Sequence, residues 1–302
     1  MFLRIWIGLF IQQQYFTLAT FSFNQPRFRI NATWNSIATT FAKQSFVGQY
    51  PIGIFVNSNN SIYLPNRQTG QIHMWQNDNH LNSTKTISDS LSDPYSIFVT
   101  TNGDIYVNNG QFNGRVNKWI RENETWISVM NATTYCDGLF IDIHENLYCS
   151  MFGNHRVDKK WSNGTITIIA GTGVRGSKSD MLRSPRGIFV DINLDLYVAD
   201  WGNNRIQLFR LNQRNGITVA GKGSAKVTIE LNEPTGVVLD GDQHLFIADF
   251  RNHRIIGSDE NGFRCIFGCS GGVQQTINYP ILVLCHSIVM EIFMSSITVI
   301  IE

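Results

Sequence analysis

The chain is short of charge. Only 16% of its 302 residues are Asp, Glu, Lys or Arg, and they cancel to a net +1. That balance gives no bulk electrostatic attraction for nucleic acid or an anionic membrane. The signatures of common chemistries are missing too. There is no Gly-x-Ser-x-Gly elbow and no HExxH, and GTGVRG (Gly171–Gly176) lacks the Lys-Ser/Thr that completes a phosphate loop. None of the five cysteines sits in a CxxC, and no Cys/His group has zinc-finger spacing. Nothing in the chain calls for a cofactor or a bound metal.

Apolar residues make up 43% of the sequence, enough for a sizeable core. With Asn, Gly, Ser and Thr abundant, the composition favours many short strands and turns over long helices. Both ends are apolar. Residues 1–22 read as a signal peptide: Arg4 supplies the charge, Ile5 to Ile11 the apolar stretch, and Ala19 to Ser22 the small residues for cleavage. Asn-x-Ser/Thr sequons stand at Asn31, Asn59, Asn82, Asn123, Asn131 and Asn163. They permit N-glycosylation, at a frequency only slightly above chance. Together these features point to a secreted or cell-surface protein.

One pattern returns along the chain: Pro-x-Gly, an apolar strand ending in Asp, a turn, Leu-Tyr-Val-Ala-Asp, a Gly/Asn turn, then Asn-x-Arg-Ile and an aromatic. The fullest copy is SPRGIFVDINLDLYVADWGNNRIQLF (Ser184–Phe209). EPTGVVLDGDQHLFIADFRNHRII (Glu233–Ile256) follows it. Weaker copies begin at Tyr50, Asp93 and Cys136. The anchors Pro51, Pro94, Cys136, Pro185, Pro234 and Pro280 lie 42 to 49 residues apart. Each unit reads as three strands plus a fourth, such as TITIIAG (Thr165–Gly171) and GITVAG (Gly216–Gly221). The first two strands are apolar nearly throughout, which suits a sheet covered on both faces. Four strands per unit at this period is the mark of a propeller.

These residues resemble the NHL repeat family over Tyr50 to Gly272. The resemblance implies an all-β fold, a six-bladed NHL β-propeller over residues 31–280. Asp200 and Arg205, and likewise Asp249 and Arg254, read as hydrogen-bonded pairs across the second turn. Leu64-Pro65-Asn66 departs from Val-Ala-Asp, so the second strand of the first unit is expected to end early. The extra Lys in DKKW (Asp158–Trp161) suggests a bulge there. Cys265 and Cys269 flank a short loop at the end of the fifth unit. Cys136 and Cys149 lie thirteen apart in the first hairpin of the third, not opposite each other in simple register. Both couples are disulfide candidates.

The sixth blade is incomplete. Asn35 to Ala42 reads as its outer strand, but residues 281–302 form a hydrophobic tail without the repeat. The tail is a membrane anchor, a set of degenerate strands, or a shifted reading frame. The last is preferred: codons allowed for Ser287 to Glu302, read one base out of phase, spell YSHGNIYVIDNGNNR, the missing motif. A chain lacking that blade is expected to be marginally stable.

Functionally, the resemblance implies a scaffold that binds protein or glycan ligands through its loop faces, without catalysis or nucleic acid. A membrane enters only if the tail is a true anchor. Two alternatives remain. Some NHL propellers are metal-dependent peptidyl-hydroxyglycine lyases, and related propellers are lactonases, with ligands at the inner-strand ends. Here those positions hold Asn57, Thr100, Asp142, Asp191 and Asp240, with no histidine trio. Other NHL domains serve RNA or ubiquitin pathways, but no RING or B-box cysteines are present. His144 and His244, and His155 and His253, fall in equivalent turns and read as turn residues.

Overall fold

Every copy of the repeat folds into a four-stranded antiparallel meander. The computed structural model describes residues 39–42, 48, 53–57, 61–76, 84–87, 91–110, 114–225, 228–269 and 299–301. Five sheets result. The first blade comprises Phe55–Val56, Ile62–Asn66, Gln71–Trp75 and Thr84–Ile87. The second comprises Pro94–Val99, Ile105–Asn109, Arg115–Ile120 and Thr125–Asn131. In the third the strands are Cys136–Ile141, Leu147–Met151, Arg156–Lys160 and Ile166–Ala170. The fourth has Ile188–Val190, Leu196–Asp200, Arg205–Phe209 and Ile217–Gly221. The fifth has Pro234–Leu239, Leu245–Asp249, Arg254–Asp259 and Gly262–Phe267.

The first strands are innermost and pack on one another from blade to blade. They are buried along their length, as are most second strands. That burial is why both read as unbroken apolar runs. Phe55, Phe98, Phe140 and Phe189, one per inner strand, contact in series at 5.0, 5.1 and 5.2 Å between ring centroids. Each pair ties one blade to the next. Fourth strands lie nearer solvent, with Ile168 45% and Ile217 52% exposed.

Three expectations are corrected. The described residues form five blades, not six. The strand Thr39–Ala42 exists, but it pairs in parallel with Val299–Ile301. A blade is an antiparallel meander, so this pair does not make one. The rest of the tail, Cys285 and the segment 1–22 lie outside the described residues. The second strand of the first blade does not end early: Pro65 stays in register opposite Ile72. The shortening falls on the inner strand, Phe55–Val56, which ends its ladder before reaching Pro65 and so asks no hydrogen bond of the proline. Finally, the bulge of the third blade is not in DKKW. The register skips Ile169 in the fourth strand, and Val129, Val219 and Ile266 are skipped at the same point in blades two, four and five. It belongs to the repeat.

Candidate functional site

In a meander, the first strand begins where the second ends. Both events therefore fall on one face of every blade, around the axis. The frame residues there have structural work. Asp200 is fully buried, and it accepts hydrogen bonds from Arg205 Nε (2.7 Å), Asn203 Nδ2 (2.8 Å) and the Arg183 amide (2.7 Å). Burial still holds its carboxyl above the usual carboxylate range. Arg205 spends its other nitrogens on the carbonyls of Ser177, Lys178 and Met181. The pair thus pins the loop between blades three and four. Asp249 and Arg254 (2.7 Å) repeat the device with Asn252, the Asn232 amide and the Glu230 carbonyl.

A second device links blades. The residue before each third strand is left-handed: Gly70 (φ 68°), Gly114 (52°), His155 (53°), Asn204 (55°) and His253 (49°). Glycine tolerates this without penalty, and Asn and His are the next best occupants. Asn204 Oδ1 accepts the Glu233 amide of the following blade at 2.9 Å. His155 Nδ1 accepts the Ser184 amide in the same way at 3.1 Å.

Against this constant frame, two positions vary. The x of Pro-x-Gly is Tyr95, Asp137, Arg186 and Thr235 in blades two to five. The residue after the second strand is Arg67 in the first blade and Phe152, Trp201 and Phe250 in the last three. The fold brings most of these together at the mouth. Tyr95 contacts Tyr135 (5.2 Å between centroids), Tyr135 stacks on Phe152 (5.7 Å) and Phe152 meets Trp201 (5.8 Å). The Arg186 guanidinium lies over Phe152 (5.0 Å) and Trp201 (5.3 Å), a cation–π geometry. Arg67 lies over Tyr95 at 5.2 Å and makes two hydrogen bonds to Asp93, at 2.6 and 2.9 Å.

At the centre, Asp137 Oδ2 stands 3.3 Å from an Arg186 terminal nitrogen, without hydrogen-bond alignment. The Asp137 side chain is only 6% exposed. Burial pushes its carboxyl up, and Arg186 draws it back only in part. Burial likewise pushes the Tyr135 phenol up to about 12 and the Tyr95 phenol upward. Asp137 Oδ2, Arg186 Nε and Trp201 Nε1 are all buried and lack a hydrogen-bond partner. One such group costs about 1–3 kcal/mol, and three collect in this cluster. Sequence reasoning missed it because variation inside a repeat reads as noise. The signal was there: four chemically different residues at one position of an otherwise constant unit.

At the opposite ends of the inner strands, the five positions weighed as metal ligands serve their own hairpin turns. Asp142 accepts the His144 and Asn146 amides, both at 2.9 Å, and Asp191 the Asn193 and Asp195 amides, also at 2.9 Å. Asp240 accepts the Asp242 and His244 amides, and Asn57 the Ser61 amide. The Thr100 hydroxyl donates to the Asp104 carbonyl. Among the described residues, no three His, Cys, Asp or Glu groups are placed to hold a metal ion.

Asp142 also holds a buried lysine. Lys159 Nζ lies 3.2 Å from its Oδ2 and 2.7 Å from the Tyr148 hydroxyl, and 3.9 Å from the Trp161 ring centroid. Desolvation lowers the Lys159 ammonium. It opposes ionisation of Asp142 too, but hydrogen bonds from Asn146 and Tyr148 and the Lys159 charge outweigh it, leaving that carboxyl below the usual range. A cavity of about 220 Å³ lies beside this lysine at the rim, walled by Trp161, Ile168, Phe209 and Leu211.

Both cysteine couples are bonded: Cys136–Cys149 with Cα atoms 5.1 Å apart, and Cys265–Cys269 at 5.6 Å. In register Cys149 faces Leu139, not Cys136, and the skip at Asp137 makes the diagonal bridge. Asn123, Asn131 and Asn163 are exposed, whereas Asn31, Asn59 and Asn82 lie outside the described side chains.

The NHL repeat family model matches residues 231–257, the body of the fifth blade. No curated protein matches the chain. Solved structures share the frame. An auxiliary nutrient binding protein from Bacteroides ovatus is 17% identical over 76% of this chain and 61% of its own, with a TM-score of 0.58. A streptogramin B lyase is 14% identical over 75% and 72%, at 0.57. A nidogen/laminin complex contributes a chain 19% identical over 69% and 75%, at 0.55. At these identities the likeness is one of fold. By its repeats and its frame, the chain is a β-propeller that carries an NHL repeat at residues 231–257.

Proposed function

We propose that this propeller is an extracellular scaffold that binds a protein or glycan ligand at the axial mouth, without catalysis. The observation that carries the reading is the cluster at Tyr95, Tyr135, Asp137, Phe152, Arg186 and Trp201, where buried and half-buried rings and unpaired polar groups meet. Aromatic and arginine side chains with imperfectly satisfied polar atoms are what binding faces concentrate. The carboxylates that a metal-dependent propeller enzyme would need are spent on turns. The two disulfides fit an oxidising compartment, and the exposed Asn123, Asn131 and Asn163 fit N-glycosylation. Among the described residues, no helix is long and apolar enough to cross a membrane. The nutrient-binding and nidogen/laminin frames are compatible with ligand or protein binding.

The test is secretion followed by capture. Expressed through a secretory pathway, the chain should appear in the medium and lose mass on enzymatic deglycosylation. It should capture a ligand from extracellular fluid that Trp201→Ala and Phe152→Ala both release. Retention of the unglycosylated chain inside the cell, or capture untouched by both variants, contradicts the proposal.

A further inference from the structure

The mouth is built from paired charges. Arg67 is matched by Asp93, Arg186 by Asp137 and Arg251 by Glu233. Each of these three cations already faces an anion, so none of them presents a bare charge to a polyanion. What remains is ring surface and unused hydrogen-bonding capacity. The capacity is mixed: Asp137 Oδ2 accepts, while Arg186 Nε and Trp201 Nε1 donate. A matching ligand has an apolar face to lie on the rings and hydroxyls that donate and accept in turn. Fatty chains lack the hydroxyls, and nucleic acid brings the wrong charge.

We infer that the mouth between the third and fourth blades is a subsite for a neutral saccharide. The inference rests on the scaffold reading above and names its ligand. A sugar ring lays its C–H face on Phe152 and Trp201, whose centroids are 5.8 Å apart. Arg186 has 18% of its side chain exposed and lies over both rings. Its guanidinium swings off the two rings as the sugar arrives. The sugar hydroxyls then take up the Asp137 oxygen and the Arg186 and Trp201 N–H groups.

The experiment is calorimetric titration of the full chain with cellohexaose, mannohexaose and N-acetylchitohexaose, with heparin and poly(U) as polyanions, at low and high salt. At least one neutral hexasaccharide should bind with the same affinity at both salts. Trp201→Ala and Phe152→Ala should each weaken it about tenfold. Trp201→Phe keeps an aromatic face but removes the pyrrole part of the indole with its unpaired N–H. It should weaken binding less than Trp201→Ala does. Binding of none of the three, binding that survives both alanine variants, or binding of heparin or poly(U) alone would overturn the inference. Capture of an extracellular protein that Trp201→Ala abolishes, in a chain that ignores all three sugars, would remove the saccharide and leave the scaffold reading standing.

Discussion

Asp200 and Arg205 show how one ion pair holds a blade to its loop. The carboxylate is fully buried, and the guanidinium holds three carbonyls besides. Asp200→Ala strands a buried cation and should cost about 3–5 kcal/mol, a fall of roughly 10 °C in melting temperature. A melt within two or three degrees of wild type would show the pair to be ornamental. His155 is the pH-sensitive counterpart of Asn204. Desolvation lowers its pKa, with Arg175 and Arg183 acting in the same direction and Asp200 against. Its Nδ1 must be neutral to accept the Ser184 amide. A depressed folded value means that the unfolded chain binds the extra proton first. Stability from this bond is therefore full above the unfolded value of about 6.5 and falls as pH drops below it. His155→Asn installs the Asn204 solution and should flatten the melting curve between pH 7 and 5. An unchanged pH dependence would refute the bond. The Asp200–Arg205 pair and the turn position of His155 were legible, because turn chemistry is local. The mouth was not: Asp137 and Arg186 are 49 residues apart, and only the stacking of blades makes them neighbours.

Elements were legible where the repeat is regular and misread where it departs. Pro65 was expected to cut the second strand, but the lost donor could be moved to the inner strand, and the fold did so. The bulge assigned to Asp158–Trp161 sits across the hairpin at Ile169, where every blade from the second to the fifth has one. A device present in every copy leaves no contrast along the sequence. A separate skip at Asp137, in the first strand, lets Cys136 reach Cys149 diagonally, a bridge that strict register discourages. The two disulfides close loops of different size, thirteen residues and four. Cys136→Ser/Cys149→Ser should therefore cost about 3 kcal/mol and Cys265→Ser/Cys269→Ser about 2 kcal/mol. Chemical denaturation of the two double variants reads the order directly, and a reversed order contradicts it.

For the whole molecule, the period and the doubly covered strands were enough to give a propeller, while the blade count was not. The sixth blade was inferred from the family, and the described residues supply five. Replacing residues 287–302 with YSHGNIYVIDNGNNR restores a second and third strand signal to the tail. If those residues complete a blade, each buried Ile, Tyr or Val adds about 1.5–3 kcal/mol, and melting should rise by roughly 10 °C. No rise, or a fall, would detach the shifted frame from the fold. That prediction does not touch the main contention, that stacked blades assemble a binding mouth from positions which vary while the frame stays fixed. Hydrogen–deuterium exchange of the full chain with and without a captured ligand tests that most directly. Protection is predicted at the segments carrying Tyr95, Tyr135, Asp137, Phe152, Arg186 and Trp201. Protection confined to the opposite turns at Asn123 and Asn163, with the mouth unchanged, would contradict it.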